Sequence, residues 1–195
     1  MHNWPLYIQR TKTKEPSPLL KEALTHIVKL QRALDLGAGG LADTRYLLER
    51  GFESIDVVDI EPTVQEVAEE LHDPEGVVKI HICTFNNFEF KESAYDLVNA
   101  QNALPFAGPE NIWQVMDLLE GSLKPGGVFC GTFFGPEEEW TRGSQIASLT
   151  LEQVQNFFDN ERWILHKIHE DRSVRKTAAG NEKQWHIFGV IATRA

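Results

Sequence analysis

The sequence predicts an α/β fold built on one open, mainly parallel sheet, and three observations carry that expectation. Short apolar runs alternate with helix-period segments from about residue 19 to residue 134. The first of those runs stops in the glycine-rich loop Gly37-Ala38-Gly39-Gly40, and the second ends on an acid, Asp59. Strands separated by helices imply right-handed crossovers and a parallel sheet covered on both faces.

Each element has its own local reason. The first eighteen residues form a polar arm carrying Arg10, Lys12 and Lys14, with Pro16 and Pro18 near its end. Leu19, Leu20, Ala23, Leu24, Ile27, Val28 and Leu30 then recur at helical spacing. Ala33 to Leu36 is a short apolar run bounded by glycine and reads as a buried strand entering a tight loop. Asp43 to Arg50 reads as a helix with Gly51 as its C-cap, and Ser54 to Asp59 as a strand. Pro62 opens a helix that carries Val64, Val67, Ala68 and Leu71 inward. Val77 to Ile82 and Tyr95 to Ala100 read as strands, and Ile112 to Leu123 as an amphipathic helix. Lys124-Pro125-Gly126-Gly127 is expected to be a turn before a strand over Val128 to Phe134. A short helix over Leu151 to Phe158 follows. Trp163 to Arg175 and Gln184 to Thr193 then read as an antiparallel hairpin turning through Ala178-Ala179-Gly180-Asn181. The total is about seven strands in a single domain spanning residues 1–195, with no room for a second.

Composition excludes several partners. The 19 basic residues against 29 acidic ones leave a net charge of −10, which argues against a protein that grips a phosphate backbone through a basic face. A small nucleotide-like ligand is still compatible, because backbone amides can hold it. Cys83 and Cys130 are too few for a disulfide scaffold and lack the spacing of a metal site, so no metal is expected. Met1-His2-Asn3-Trp4-Pro5 leads into polar residues without the apolar core of a signal peptide, and no apolar run approaches the roughly 20 residues that span a bilayer. The expectation is a cytoplasmic protein with no membrane partner.

In open α/β sheets, ligands bind outside the carboxyl ends of the strands. Gly37 to Gly40 stand at that end of the first strand. Glycines there allow a sharp turn and a close backbone approach. Asp35 is a carboxylate in an apolar strand, costly to bury unless donors reach it. A ligand amine or the loop itself could supply them, and a carboxylate bracing its own loop is the blander reading. Asp59, 24 residues further on, can accept hydrogen bonds from the two vicinal hydroxyls of a ribose. Gly37, Gly39 and Ala42 also fit the dinucleotide fingerprint, so an NAD(P)-dependent oxidoreductase is the alternative. Against it stand the acid two places before the first glycine, the lack of a second substrate domain, and the hairpin in place of a second βαβαβ half.

These residues carry a resemblance. Ala33-Leu34-Asp35-Leu36-Gly37-Ala38-Gly39-Gly40 resembles the first motif of class I S-adenosylmethionine-dependent methyltransferases. Asp59 stands where their ribose acid stands. Tyr95-Asp96-Leu97-Val98 is similar to their fourth strand, and Leu123-Lys124-Pro125-Gly126-Gly127 to their turn before the fifth. The arm from Trp4 to Leu20 and the ending Trp185-His186-Ile187-Phe188 most resemble the small tellurite-resistance-type methyltransferases. The resemblance implies a Rossmann-like sheet of seven strands and S-adenosyl-L-methionine as cofactor. It implies that Asp35, Gly37, Ala38 and Gly39 line the methionine half, that Asp59 holds the ribose with Ile60 beside it, and that Thr84 and Phe85 border the adenine. Asn99, Ala100 and Gln101 would approach the methionine and sulfonium. Thr84 replaces an acid common at that place, and Leu41 stands where a third glycine is common.

Methyl transfer from a sulfonium needs mainly approach and alignment. A general base is required only if the acceptor arrives protonated. Tyr7 on the arm and His186 near the end are the candidates, with Tyr7 also placed to close over the cofactor and His186 also readable as a satisfied histidine in a sheet. Arg10, Lys12 and Lys14 read as a solvated arm, or as a patch that steers an anionic acceptor. Glu137-Glu138-Glu139 and Glu66, Glu69 and Glu70 read as solvated faces. Asn102-Ala103-Leu104-Pro105-Phe106 only loosely matches the motif of nucleic-acid aminomethyltransferases, which with the acidic charge excludes DNA or RNA as acceptor. The expected function is methyl transfer to a small molecule held by the arm and by loops over residues 102–110 and 134–148. A noncatalytic S-adenosylmethionine-binding module is the remaining alternative.

Overall fold

Five apolar runs become parallel strands: β1 (Arg32–Leu36), β2 (Ser54–Asp59), β3 (Val78–Ile82), β4 (Tyr95–Ala100) and β5 (Leu123–Phe134). Two longer strands, β6 (Trp163–Lys176) and β7 (Glu182–Arg194), pair antiparallel, with β7 seated against β5. In this computed structural model, which describes residues 3–143, 145–178 and 180–195, the sheet order is β3-β2-β1-β4-β5-β7-β6. This is the mostly parallel, seven-stranded plan the sequence predicts. The order reverses between β1 and β4, so a crevice opens at their carboxyl ends.

Among the described residues six α-helices pack around it: α1 (Trp4–Thr11), α2 (Pro18–Ala23), α3 (Ala42–Glu49), α4 (Thr63–Ala68), α5 (Ile112–Ser122) and α6 (Leu151–Phe158). Successive strand residues point to opposite faces, so neighbours in sequence enter different cores. Leu34, Leu36, Val98 and Phe129 meet Val115, Met116 and Leu119 of α5 and Val154 of α6. Ala33, Ile55, Val57 and Leu97 meet Leu47, Val64 and Val67, together with Ile8 of α1 and Leu20 and Ala23 of α2. Burial on both faces is why these strands read as continuous apolar runs rather than alternating ones.

Three local expectations change. The helix expected over Leu19 to Leu30 ends as α2 at Ala23, followed by one 3-10 turn at Leu24–His26. Ile27 is extended and Val28 is 92% exposed, because the chain must straighten here to enter β1, where the Leu30 and Gln31 carbonyls accept from Glu53 and Ser54. Lys124 to Gly127 form a bulge within β5 rather than a turn before it. Leu123 already pairs with Tyr95, and the ladder resumes at Val128 opposite Leu97. Gly126 takes a φ of +79°, which relieves the extra residues. The hairpin strands also run further than expected, to Lys176 and from Glu182. Thr177 and Gly180 bonds close the turn, in which Ala179 lies outside the described residues, as do Met1, His2 and Ser144.

The arm is not a free polar tail. Asn3 accepts a hydrogen bond from the Leu6 amide and Pro5 occupies the first turn, so α1 has a start signal the composition concealed. Ile8 and Thr11 are buried beneath it. No helix among the described residues is long and apolar enough to cross a membrane.

On the amino side of the sheet, Asp56 ties four strands. Its carboxylate is 3% exposed and accepts from Arg32 of β1 at 2.8 Å, His81 of β3 at 2.9 Å and Tyr95 of β4 at 3.0 Å. Burial pushes its carboxyl up, but the donors from His81, Arg32 and Tyr95 outweigh that and hold it below the usual carboxylate range. A depressed native value stabilises the fold above the unfolded value near pH 4 and is lost as pH falls through the native one. Asp56→Ala should therefore cost about 3 kcal/mol in urea unfolding at pH 7. Its deficit should shrink progressively as the titration is repeated below pH 4.

Candidate functional site

The loop after β1 is shaped by close contacts. Gly37 has a φ of +64°, donates to the Val58 carbonyl at 2.7 Å, and would place a Cβ only 2.4 Å from that of Ala103. A Cβ on Gly40 would lie 2.5 Å from the Thr11 Oγ1, so this glycine is the seat on which the end of α1 rests. Leu41, in the place of an expected glycine, takes the left-handed conformation itself with φ at +60°. That conformation costs a non-glycine residue roughly 1–2 kcal/mol. Complete burial of the Leu41 side chain offsets it.

Asp35 does not reach the crevice. It is 2% exposed and accepts from Thr44 Oγ1 at 2.6 Å and Asn99 Nδ2 at 2.8 Å. The bracing reading is therefore the one its geometry supports, since a buried carboxylate must be matched by donors and these are supplied from α3 and β4. The network continues. Asn99 also donates to Asp43 at 3.1 Å and accepts from Gln101 at 2.9 Å, while Asp43 accepts from the Ser17 amide at 2.6 Å. Burial and the nearby Asp43 charge push the Asp35 carboxyl up to about 7, against the pull of Thr44 and Asn99. Burial raises Asp43 as well. Asn99 and Ala100 are buried with Asp35 behind the loop, and Ala38 also stands outside the cleft lining.

The remaining expected residues meet in one cleft of about 350 Å³, the size of a small-ligand site. Gly37, Gly39, Asp59, Ile60, Thr84, Phe85, Gln101 and Tyr7 all line it. Asp59 accepts from the amides of Gly39 and Glu61, each at 3.0 Å, which leaves lone pairs facing the cleft. Burial nevertheless raises its carboxyl, so further donors would be favoured there. Beside it Ile60 is 62% exposed, an apolar surface presented to the same space. Thr84 precedes a 3-10 turn that brings Phe85 into the lining, and Glu61 joins it.

The other end of the cleft is aromatic. Trp4 packs edge-on against Tyr7 at 5.7 Å and Phe106 at 5.2 Å between ring centroids. Phe106 approaches Trp140 at 6.2 Å, and Trp140 approaches Trp185 at 5.5 Å. These rings come from α1, from the segments after β4 and β5, and from β7. Lys176, Thr177 and Ala178 at the tip of the hairpin complete this end. Arg10 donates to the Ala178 carbonyl at 3.2 Å, so the arm and the hairpin tip are joined across the opening.

Of two further side chains, His186 takes the satisfied-histidine reading rather than the general-base one, and Glu138 departs from expectation. His186 is 1% exposed and does not line the cleft. Its Nε2 bonds Glu170 at 2.8 Å and its Nδ1 accepts from the Glu137 amide at 3.1 Å, so it is a satisfied sheet histidine. Glu138 is not solvated but fully buried, paired with the buried Lys183. Lys183 Nζ lies 3.4 Å from the ring centroids of both Trp140 and Trp185. Burial lowers the Lys183 amine to about 8 despite the Glu138 carboxylate. The alternation of Lys183 and Trp185 on one strand face is a local signal for half of this cluster, whereas Glu138 is hidden in a run of three acids. The basic arm cluster is also dispersed: Lys12 pairs with Glu70, Arg10 holds Ala178, and Lys14 alone borders the cleft. Burial raises the Tyr7 phenol, and the Asp43 and Asp59 charges add to that, so Tyr7 keeps its proton at neutral pH.

Comparison with known proteins bears on the family and the fold. The profile described as a methyltransferase domain matches residues 34–131, just over half of the chain. A structure of the complex between the Haloferax volcanii Trm112 methyltransferase activator and a methyltransferase superposes with a TM-score of 0.74 at 15% identity, covering 98% of this chain and 94% of that one. An S-adenosylmethionine-dependent methyltransferase from Methanosarcina mazei gives 0.68 at 16% identity over 92% and 98% of the two chains. The Burkholderia thailandensis 1,6-didemethyltoxoflavin-N1-methyltransferase, solved with 1,6-didemethyltoxoflavin and S-adenosylhomocysteine, gives 0.68 at 18% identity over 91% and 77%. These similarities concern the fold. No curated protein sequence matches the chain.

Two outcomes test the loop. Asp35 holds its proton in the fold up to about pH 7, whereas the unfolded chain ionises near pH 4. Stability from this group therefore falls as pH rises through that window. Asp35→Asn, which mimics the protonated acid, should flatten the decline in thermal unfolding between about pH 4 and 7. Gly40→Val should lift the end of α1, read as faster tryptic cleavage after Arg10 and Lys12 with the far-UV spectrum of the sheet unchanged.

Proposed function

The chain belongs to the methyltransferase-domain family, with S-adenosylmethionine as the cofactor, and from that premise we propose that it transfers a methyl group to a small molecule. The observation that carries this is the meeting of Gly37, Gly39 and Asp59, from the ends of adjacent strands, on one cleft with a separate aromatic end. We read residues 1–195 as a single methyltransferase domain in which the arm, residues 1–18, closes over the site, most like the small tellurite-resistance-type group. The bond between Arg10 and Ala178 and the seating of α1 on Gly40 support that closure.

The residues fit the cofactor. Asp59 has lone pairs for the two ribose hydroxyls, with the exposed Ile60 and Phe85 available to flank a flat base. Thr84 and the Phe85 backbone take the place of an adenine-binding acid. Gly37 and Gln101 stand at the ends of the central strands, where the methionine half would lie, and Lys14 offers a positive charge to its carboxylate. When bound, the cofactor supplies an activated methyl group on a sulfonium.

The protein's own part is alignment and exclusion of water. Tyr7 and Trp4 of α1 cover the cleft from one side and the hairpin tip covers it from the other. Among the described residues lining the aromatic end there is no carboxylate and no histidine. Tyr7 retains its proton, so it orients rather than accepts one. This division favours positioning as the main source of rate acceleration. The 1,6-didemethyltoxoflavin methyltransferase shows that this fold can serve a small-molecule acceptor, and the acidic net charge of −10 favours the same reading over a nucleic acid.

Titration calorimetry tests the assignment with S-adenosylmethionine, S-adenosylhomocysteine and NAD. Both sulfur ligands should bind and NAD should not; the reverse would return the chain to the oxidoreductase reading. Asp59→Ala should weaken both sulfur ligands by about 1–3 kcal/mol, the loss expected for hydrogen bonds to a charged group. Wild-type affinity in that variant would remove Asp59 from the site.

A further inference from the structure

The aromatic end of the cleft carries information about the acceptor. Rings that enclose a cation work through their electron-rich faces, which must be free to receive it. Here Trp140 and Trp185 each already carry the Lys183 ammonium 3.4 Å from the ring centroid, and Phe134 faces it at 5.2 Å. Lys183 does not itself line the cleft; it sits behind the rings, 2% exposed, with Glu138 as its carboxylate partner. Glu138 offsets the charge of this ammonium, so what bars a second cation is that the ring faces it would need are already taken by Lys183. The charged side chain that lines the cleft beside these rings, among the described residues, is cationic too: Lys176 on the hairpin. The wall suits a flat ring packed edge-on or offset against Trp4, Phe106 and Trp140, with negative charge directed to Lys176.

We propose that the acceptor is a planar aromatic or heteroaromatic anion whose nucleophilic oxygen, sulfur or nitrogen is already ionised when it binds. The proposal rests on the methyltransferase reading for the reaction, though not for the subsite itself. The lack of a base at this end then needs no remedy. The acceptor loses its proton to solvent before binding, and its lone pair forms the new bond to the methyl carbon. The sulfur–methyl bond breaks with its electron pair left on sulfur, and two neutral products result. Lys183 acts here as a positioning residue that orients Trp140 and Trp185 and biases them against cationic ligands.

Binding separates the possibilities without turnover. Three probes are titrated into the whole protein, alone and saturated with S-adenosylhomocysteine, and followed by tryptophan fluorescence and calorimetry. They are 2-naphthoate (a planar anion), cyclohexanecarboxylate (an anion without a flat ring) and benzyltrimethylammonium (an aromatic cation). The expected result is tightest binding of 2-naphthoate with tryptophan quenching. Lys176→Glu should weaken it about three- to ten-fold, the range for reversing one solvent-screened charge contact. The double variant Lys183→Met, Glu138→Gln removes the ammonium without leaving a lone buried carboxylate, and should narrow the preference for 2-naphthoate over the cation. The proposal is overturned if 2-naphthoate does not bind, if benzyltrimethylammonium binds as tightly, or if the double variant folds and keeps the wild-type preference. If 2-naphthoate binds while S-adenosylhomocysteine does not, the subsite stands and the methyltransferase reading falls.

Discussion

The carboxyl edge of the sheet hangs from one buried carboxylate. Asp35 takes hydrogen bonds from Thr44 on α3 and Asn99 on β4, and Asn99 passes the connection to Asp43 and Gln101. Asp43 in turn receives the Ser17 amide, which anchors the segment between α1 and α2. The glycine loop, the first helix after it, the end of the fourth strand and the arm are thus oriented by one network, which burial makes sensitive to every unmatched group. That network sits beneath the cleft rather than in it. Its consequence is a floor on which Gly37, Gly39 and Gln101 border the ligand space.

The α1 helix lies above this floor. The end of α1 is seated on Gly40, a residue with no side chain, its Ile8 is buried in the core, and Arg10 bonds the hairpin tip. The aromatic end is firmer than its surface position suggests, because Lys183 and Glu138 are packed inside it. A buried ion pair is weak evidence for stability, but here it fixes the faces of two tryptophans that no backbone constraint would align.

Legibility followed the range of the interactions. The limits of β2 and β4 match their apolar runs, as α6 matches its helical pattern, since periodicity within one segment is local information. The helix expected through Leu30 stops early because the position of β1, not helix propensity, decides where the chain must straighten. Lys124 to Gly127 carry turn residues yet lie within a strand, because Tyr95 draws Leu123 into the ladder before the bulge. Asp59 was readable as a cleft residue from its place at a strand end, which needs only the direction of the chain and the rule for open sheets, whereas Ile60, Thr84 and Phe85 came from the resemblance to class I methyltransferases. Asp35 carried the right signal, an acid in an apolar strand, but its partner could not be read there; Thr44 and Asn99 lie nine and sixty-four residues away.

The amino-acid order alone therefore settled the class of fold, the order of its elements and the edge of the sheet where a ligand belongs, because all three arise from local periodicity and chain direction. Tertiary structure decided which acid braces and which one faces the cleft. It decided that His186 is enclosed between Glu170 and the Glu137 amide, and that Glu138, one acid among three, is the buried one. It alone brought Trp4, Phe106, Trp140 and Trp185 to one wall with Lys183 behind two of them. The reason is physical: burial, charge pairing and ring packing are properties of distances between segments far apart in the chain, and no local pattern encodes them.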